Sequence, residues 1–513
     1  MAESSNGRHR PLIILIFILL IVALIIAGMW LWPRLSAPDE IPVISVMPVD
    51  TAVYTELNLQ RLDDEAAQML VSQLGGTADN PITLLALFDD ALQEATGLTA
   101  SDNILPWIGS SVGLGLLPPT DDQQPRWILA ATVRDKQTAA EFTTTLTDAL
   151  SQNSDHLSGF LSGTEPAAAH TKNLFVLASD AAALETAVTY EERPSLAESE
   201  PYQQLLAQLP PDSPLTIVVN EAGFDIFRTT VPQSSADYAA VIQEILPVYT
   251  AVALAANPTT DGVQMDMIAL HEPLTAVQQE LLAAQTAVPQ LDDRLPQETA
   301  VYLNGQRLDL IWQQLKGALE PLGYEEADIE ESLALFTNLL GFNPDTEFLA
   351  TLNGGYTLAL LPNSDETMRA VALAELADPE ATAAMAEEIL PPLILFGAVQ
   401  QSTKSIYEVP LPDQPLTLNP NFSLHKDLLI VGTDAEAVTA VTQSETSLTA
   451  KLVYQGVWET FPDGSVPILF VDLALLPDAP TAVDIFSHAA LATHSDNDAS
   501  QATLILFTRR LGD

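Results

Sequence analysis

Cysteine is absent from all 513 residues of the chain. This absence excludes disulfide bonds, thiolate metal sites, cysteine nucleophiles and the lipid-modified cysteine of a bacterial lipoprotein. An extracytoplasmic domain without disulfides is more typical of a bacterium than of a eukaryotic secretory pathway. The sequence also lacks a P-loop, a dinucleotide-binding glycine motif and a stripe of basic and aromatic residues. We therefore expect no cofactor.

Basic residues are scarce. The chain has 19 lysines and arginines against 68 aspartates and glutamates, which gives a formal net charge of −49. A surface this acidic repels nucleic acid and anionic lipid headgroups, so we expect no nucleic-acid partner. Hydrophobic residues make up 47% of the sequence, which excludes global disorder. The length exceeds that of one compact core and predicts several structural units.

One long apolar run stands near the N-terminus. Leu12 to Trp32 contains no charged residue, and a helix of this length spans roughly 30 Å, the thickness of a bilayer core. Arg8 and Arg10 precede the run, so the positive-inside rule places residues 1–11 in the cytoplasm. We predict an uncleaved, single-pass anchor in the cell membrane, with the lipid bilayer as its partner and the rest of the chain extracytoplasmic.

The chain repeats itself after the anchor. Leu105 to Pro118 reads LPWIGSSVGLGLLP, and Phe348 to Pro362 reads FLATLNGGYTLALLP. Further echoes follow in the same order when Pro118 is aligned with Pro362, and several predicted strands succeed each other directly. The sequence predicts an α+β fold: an N-terminal transmembrane helix, then two tandem repeats, each an antiparallel sheet with helices on one face. The predicted segments are 1–11 (cytoplasmic), 12–32 (transmembrane), 33–47 (proline-rich stalk), 48–271 (first repeat), 272–294 (linker helix) and 295–513 (second repeat).

Several motifs resemble a known bacterial family, domain of unknown function 3352. They are NILPWIGSSVGLGLLP, WILAATVRDKQTAAEF, LFVLASDAAALETAV and PSLAESEPYQQLLAQLP. The resemblance covers roughly Pro48 to Leu476 and is strongest in the first half. The second half has Ala350-Thr351-Leu352-Asn353 in place of the Pro-Trp-Ile-Gly tetrad. The resemblance implies a membrane-anchored, extracytoplasmic protein and carries no catalytic role with it.

Gly109-Ser110-Ser111-Val112-Gly113 matches the G-x-S-x-G pattern of a nucleophile elbow. An elbow needs a strand, a sharp turn and then a helix, so that the serine hydroxyl is exposed. Here the sequence continues as strand-like Leu-Gly-Leu-Leu-Pro, and His156, His170 and His271 lie in no recognisable setting. We interpret the motif as a closely packed strand of small residues. A serine hydrolase that uses Ser111 is retained as the third alternative.

The seven histidines form neither H-x-x-x-H nor H-E-x-x-H, and His488 and His494 fall on different faces of a helix. A calcium loop that began at Asp496 would lack the glycine at its sixth position and would have Phe507 at its twelfth. We therefore predict no metal site, and no catalytic or cofactor-binding residue is assigned.

The sequence leaves two main hypotheses for function. The first is a non-catalytic binding or scaffolding module of the bacterial envelope, with an unidentified protein partner. The second is a carrier of a lipid or another apolar ligand, whose cavity would be lined by Leu105 to Leu117. The presence or absence of an apolar cavity distinguishes them.

Overall fold

The described part of the protein starts after the predicted anchor, which lies outside it together with most of the predicted stalk. The computed structural model describes residues 41–63, 93, 98–119, 126–152, 166–211, 213–230, 248–285, 291–318, 326–340, 343–363, 367–376, 378–380, 399–401, 406–408, 420–425, 427–462, 464–476, 486–496 and 499–508. No helix within these ranges has the length and apolar character that a membrane crossing requires. Where the stalk prediction overlaps them, Val43–Val46 form a buried 3-10 turn.

The described strands correct the predicted fold class. We expected one antiparallel sheet in each repeat, but the 18 strands belong to one antiparallel sheet. Hydrophobic alternation along a strand predicts which of its faces is buried, but it does not identify the neighbouring strand, so the sequence could not decide between two sheets and one. The strands are β1 Val53–Asn58, β2 Ile108–Leu117, β3 Arg126–Val133, β4 Ala167–Thr171, β5 Leu174–Ala178, β6 Leu215–Asn220, β7 Tyr249–Thr259, β8 Gly262–His271, β9 Val301–Gln306, β10 Gly355–Pro362, β11 Met368–Glu375, β12 Val399–Gln401, β13 Ile406–Glu408, β14 Asn421–His425, β15 Leu428–Gly432, β16 Val466–Asp472, β17 Phe486–Asp496 and β18 Ala499–Thr508.

The described helices are mostly short. Three of them begin after an aspartate whose carboxylate accepts a hydrogen bond from a backbone N–H of the first turn, Asp135 from Thr138, Asp180 from Ala183 and Asp434 from Ala437. The helices are α1 Ala100–Asn103, α2 Lys136–Gln152, α3 Ala181–Val188, α4 Glu200–Leu206, α5 Glu221–Thr230, α6 Ala276–Gln285, α7 Leu308–Ala318, α8 Glu326–Leu340, α9 Ala435–Gln443 and α10 Leu452–Trp458.

The described residues divide into two compact units. The first contains those of 41–230 and Tyr249–Leu270, and the second contains Val248 and those from His271 onward. Hydrogen bonds order the strands of the first unit as β4-β5-β3-β2-β1-β6-β7. In the second unit the order is β12-β13-β14-β15-β11-β10-β9-β16-β17-β18.

Seven strands of the two units are equivalent in order and in register. In the first unit Leu114 of β2 pairs with Leu129 of β3, and in the second Leu358 of β10 pairs with Ala372 of β11. Each unit also has an isolated bridge between a proline and a serine, Pro48 to Ser195 and Pro296 to Ser447. The segments that the sequence repeats therefore occupy equivalent positions in the two units.

The core of the first unit is centred on an aromatic cluster. Trp107 packs against Phe142 of α2 and Phe175 of β5, with ring centroids 5.2 and 5.1 Å away. The Trp107 indole N–H donates to the carbonyl of Asn103, 2.6 Å away. Helix α2 thus covers one face of the sheet next to the Pro-Trp-Ile-Gly tetrad.

The larger of the two buried clusters of the second unit lies on the face of its strands that carries Tyr302. Tyr302 and Phe470 are fully buried there, and they contact Tyr454 of α10, with ring centroids 6.0 and 5.2 Å from it. Buried residues of α9 also belong to this cluster. The helices α9 and α10 therefore cover one face of β9, β10 and β16, and the site described next is on the opposite face.

Candidate ligand-binding site

Strand β10 is apolar on both of its faces. Thr357, Ala359 and Leu361 alternate into the buried core of the second unit, with exposed fractions of 0%, 3% and 5%. The residues between them point the other way, since successive side chains of a strand alternate, and there Leu358 is 48% exposed. The second face is therefore apolar without being covered to the same extent.

A row of apolar side chains crosses the sheet on this second face. Leu358 pairs with Leu303 of β9 and with Ala372 of β11, and Ala372 pairs with Val431 of β15. Directly paired residues of antiparallel strands point to the same face. Leu303 and Val431 are 38% and 36% exposed. In a second row, Leu360 pairs with Val301 and Ala370.

These two rows line a cavity of about 530 Å³ in the second unit. Such a volume lies within the range of roughly 300–1,000 Å³ that is typical of small-molecule sites. The residues around it are Val301, Leu303, Leu358, Ala359, Leu360, Ala370, Val371, Ala372, Pro420, Val431, Gly432 and Thr433.

The described residues that line this cavity include no charged side chain. Their one side-chain hydroxyl, that of Thr433, is already engaged by the backbone of β11: it accepts from the N–H of Ala370 at 3.3 Å and donates to the carbonyl of the same residue at 3.4 Å. The described walls therefore offer shape and apolar contact without a polar group for orientation. This arrangement suits a neutral apolar molecule and provides no group for acid–base or nucleophilic chemistry.

The cavity is not where the sequence predicted it. In the stretch from Leu105 to Leu117, the side chains of Trp107, Ile108 and Val112 are at most 6% exposed and pack against α2. The predicted lining is therefore core in the first unit. The cavity lies at β10, the strand equivalent to β2, and the sequence signal that could have located it is the uninterrupted apolar run YTLALLP.

Ser111 does not occupy a nucleophile elbow. It lies within β2, which continues to Leu117 without a turn or helix, and it is 8% exposed. Its N–H donates to the Oγ1 of Thr132 at 2.9 Å, and the Thr132 hydroxyl donates to the Ser111 carbonyl. Among the described residues no histidine is hydrogen-bonded to Ser111.

The other candidate residues are scattered. His170 is in β4 and His271 ends β8, whereas His156 lies outside the described residues. His488 is in β17 beside Asp472. The described residues contain no group of three or more histidines and carboxylates arranged to bind a metal ion. The structure therefore does not assemble the motifs that the sequence singled out into one site.

Comparison with known proteins gives one family match. The model of a family described as "Protein of unknown function (DUF3352)" matches residues 13–391, so it starts earlier and ends earlier than the resemblance drawn from the motifs. Two solved structures, of crystal forms III and I of TP0453, share 10% and 11% identity. They cover 47% of this chain and 86% and 84% of their own, with TM-scores of 0.24 and 0.25, values too low to support a conclusion. No curated protein sequence matches the chain.

Proposed function

The chain belongs to the DUF3352 family of proteins of unknown function, and we propose that it is a membrane-anchored, extracytoplasmic protein that binds an apolar ligand without catalysing a reaction. The observation that supports this proposal is the cavity of about 530 Å³ between the side chains of β9, β10, β11 and β15. A non-catalytic role agrees with the chemistry of the described wall residues, none of which has a titratable side chain.

The proposed location depends on the sequence before the described residues. Leu12 to Trp32 is long enough to cross a bilayer, and Arg8 and Arg10 favour a cytoplasmic N-terminus. Such an anchor would hold the cavity close to the membrane, which is a reservoir of apolar molecules. The net charge of −49 would keep the exposed part soluble and away from anionic headgroups.

The ligand class follows from the cavity walls. A charged group placed against them would lose its hydration without gaining a partner, which is costly. A neutral alkyl or isoprenoid body would instead cover the exposed parts of Leu303, Leu358 and Val431. Burying apolar surface stabilises a complex by roughly 25 cal/mol per Å². Covering these three side chains would therefore contribute favourably to the binding free energy of such a ligand.

The test is native mass spectrometry of the full-length protein in nanodiscs of zwitterionic lipid, followed by extraction with organic solvent. We expect a stoichiometric apolar molecule to be released on denaturation, and the empty protein to bind 1-dodecanol. The Ala372→Phe variant fills the cavity and should lose both. Its matched control is Leu129→Phe, a change at the equivalent register position of the first unit.

A protein without a co-purifying ligand that also fails to bind 1-dodecanol would contradict the carrier function. The scaffolding hypothesis would then remain, with a protein partner on the same apolar face. Binding of 1-dodecanol that is equal in the wild type and in Ala372→Phe would show that the cavity at β10 is not the site.

A further inference from the structure

Arg126 lies at the start of β3 in the first unit, with its side chain 23% exposed. Its Nε donates to the Oδ2 of Asp180 at 3.2 Å, and Asp180 also accepts from the N–H of Ala183 at the beginning of α3. Among the described residues, neither terminal Nη group of Arg126 forms a hydrogen bond or an ion pair. A guanidinium presents five N–H donors in a planar fork, so most of this fork is unused.

The second unit has the equivalent arginine beside two carboxylates. Arg369 occupies the equivalent position, because Arg126 pairs with Leu117 and Arg369 with Leu361 in equivalent registers. The Nε of Arg369 lies 3.1 Å from Asp434, the residue that caps α9. In addition, its Nη2 donates to Glu436. Arg369 is therefore in ion pairs with two carboxylates, whereas Arg126 is paired with Asp180.

The first unit has no carboxylate at the position equivalent to Glu436. Counting from the two capping aspartates, the residue equivalent to Glu436 is Ala182, which has no polar side chain. A further difference lies two residues before the serines of the isolated bridges, where the first unit has Arg193 and the second has Glu445. Both differences make the surroundings of Arg126 less negative than those of Arg369.

A cavity of about 630 Å³ lies beside Arg126. Arg193 contributes a second guanidinium to its wall, and its Nη1 is 3.5 Å from the Thr186 hydroxyl. Apolar side chains make up much of the remaining wall, among them Val49, which is 42% exposed, and the exposed Pro119. Among the described residues the wall also includes one carboxylate, the exposed Asp50. The cavity thus combines a half-used arginine, a second arginine and an apolar surface.

We propose that this cavity is a second ligand site, which binds a molecule carrying one oxyanion, a carboxylate or a phosphate, on an apolar body. The oxyanion would take the place that Glu436 occupies in the second unit and would accept from the Nη groups of Arg126. Arg193 would supply a further donor, and the apolar body would lie against Val49 and Pro119. Arginine suits this role because its fork matches both oxyanions bidentately.

The site is independent of the apolar cavity at β10, since it is in the other unit and selects for charge. At long range the chain, with a net charge of −49, repels anions. Affinity for an anion must therefore come from short-range contacts with the two guanidiniums. For this reason we expect a large loss of affinity when one of them is removed.

Isothermal titration calorimetry of the full-length protein in zwitterionic nanodiscs tests this proposal, with octanoate, octyl phosphate and 1-octanol as probes of matched chain length. We expect at least one of the two anions to bind, and Arg126→Gln to weaken its binding about tenfold or more. Tighter binding of octanoate would identify a carboxylate ligand, and tighter binding of octyl phosphate a phosphate ligand. Binding of 1-octanol should not change in Arg126→Gln.

Two further variants separate binding from folding. Ala182→Glu recreates the arrangement of the second unit at an exposed position of α3 and keeps the contact between Arg126 and Asp180. It should abolish anion binding without lowering the melting temperature. Arg369→Gln is the matched control and should leave the affinity unchanged. The proposal is wrong if neither anion binds, or if Ala182→Glu and Arg126→Gln both bind as the wild type does.

Discussion

Tyr454 donates a hydrogen bond to the buried carboxylate of Asp292 in the second unit. The Tyr454 hydroxyl also lies 2.9 Å from that of Tyr302, so the three groups form one buried chain. The first unit has the equivalent tyrosine pair, but there Tyr54 donates to Glu56, at 2.7 Å. Both units thus place a carboxylate against one member of the tyrosine pair, the helix tyrosine Tyr454 in the second unit and the strand tyrosine Tyr54 in the first.

The Asp292→Asn variant tests how much the burial of the Asp292 carboxylate lowers the stability of the protein. Desolvation raises the pKa of Asp292, and the hydrogen bond from Tyr454 opposes this rise only in part. Because the folded pKa is raised, the stabilisation from protonated Asp292 is fully present below the unfolded pKa of about 4 and is lost as the pH rises through the folded pKa. We expect the stability of the variant relative to the wild type to increase by about 1 kcal/mol between pH 4 and pH 7.

The measurement is differential scanning calorimetry of both proteins across this pH range. Asp293→Asn is the control, because Asp293 lies in the same 3-10 turn and its side chain is 57% exposed. Asp293→Asn should not produce the same rise in stability relative to the wild type between pH 4 and pH 7. A difference between Asp292→Asn and wild type that is constant with pH would contradict the explanation by burial.

The sequence predicted which positions of the two units are equivalent better than it predicted the exposure of the side chains at those positions. Aligning Pro118 with Pro362 placed Leu114 opposite Leu358, and the structure has both in the same register. However, Leu114 is 7% exposed, whereas Leu358 is 48% exposed. Sequence similarity reports backbone position, but the exposure of a side chain depends on what packs above the strand. The apolar run of β10 could therefore point to this strand, but the sequence does not predict which of its side chains stay exposed.

The sequence motifs alone could also not have shown that the Nη groups of Arg126 have no hydrogen-bond acceptor among the described residues. Arg126 and Arg369 begin the two echoed strand segments, and Asp180 and Asp434 begin the two echoed helices. The sequence shows that these four residues recur, but it does not show that each arginine reaches its aspartate across the fold. That contact joins residues 54 positions apart in the first unit, and only the sheet pairing brings them together.

Asp472 is a second buried carboxylate, and its pKa is shifted in the direction opposite to that of Asp292. Burial alone would raise its pKa, but hydrogen bonds and charge from His488 and Lys451 outweigh burial, so the pKa is lowered. The Lys451 Nζ is 2.6 Å from its Oδ2. Since the folded pKa is depressed, the stabilisation is present above the unfolded pKa of about 4 and is lost as the pH falls through the folded value.

We therefore expect Asp472→Asn to destabilise the protein by about 3 kcal/mol at pH 7, because it leaves the charge of Lys451 without its partner. The loss should shrink below about pH 4, where the wild type also loses the ion pair. Thermal melts at pH 7 and pH 3.5 measure both quantities. An equal loss at the two pH values would indicate a packing effect instead of an electrostatic one.

The first unit suggests a second substitution that should compensate for Asp472→Asn. Its equivalent residues are Ser199 and Asn220, and the Asn220 side chain donates to the carbonyl of Thr51 at 2.8 Å. The double variant Lys451→Ser, Asp472→Asn recreates this neutral pair. We expect it to be more stable than Asp472→Asn alone, as a double-mutant cycle in thermal melts would show. A double variant that is less stable than both single variants would refute the equivalence.

Gly109 and Ser111 allow a paired test within β2. A side chain at Gly109 would place its Cβ 2.5 Å from the Oγ1 of Thr132 and 2.9 Å from the backbone of the same residue. Gly109→Ala should therefore destabilise by about 1–3 kcal/mol. Ser111→Ala retains the backbone contacts with Thr132 and should change stability by less than about 1 kcal/mol. Thermal melts compare the two variants.

The same pair of variants addresses the serine hydrolase alternative. Ester hydrolysis by the purified protein that disappears in Ser111→Ala, with an unchanged melting temperature, would show that the serine reacts. Since Ser111 is buried within a continuous strand, we expect no such activity in either protein. Gly109→Ala is the reference for a change that acts only through packing.

Trp107 gives the largest expected effect on the first unit. Its side chain is 1% exposed and contacts both Phe142 and Phe175. Trp107→Ala removes these contacts and leaves a cavity, so we expect a loss of about 3–5 kcal/mol in the free energy of unfolding. Trp107→Phe retains a ring and loses the hydrogen bond to the carbonyl of Asn103. This loss should cost about 1 kcal/mol in addition to the effect of the smaller ring volume.

Urea denaturation followed by tryptophan fluorescence and circular dichroism measures the stability of both variants. Because the second unit has Leu352 in place of the tetrad's isoleucine and no tryptophan before it, the loss should be confined to the transition of the first unit. Equal shifts of all transitions would contradict this assignment.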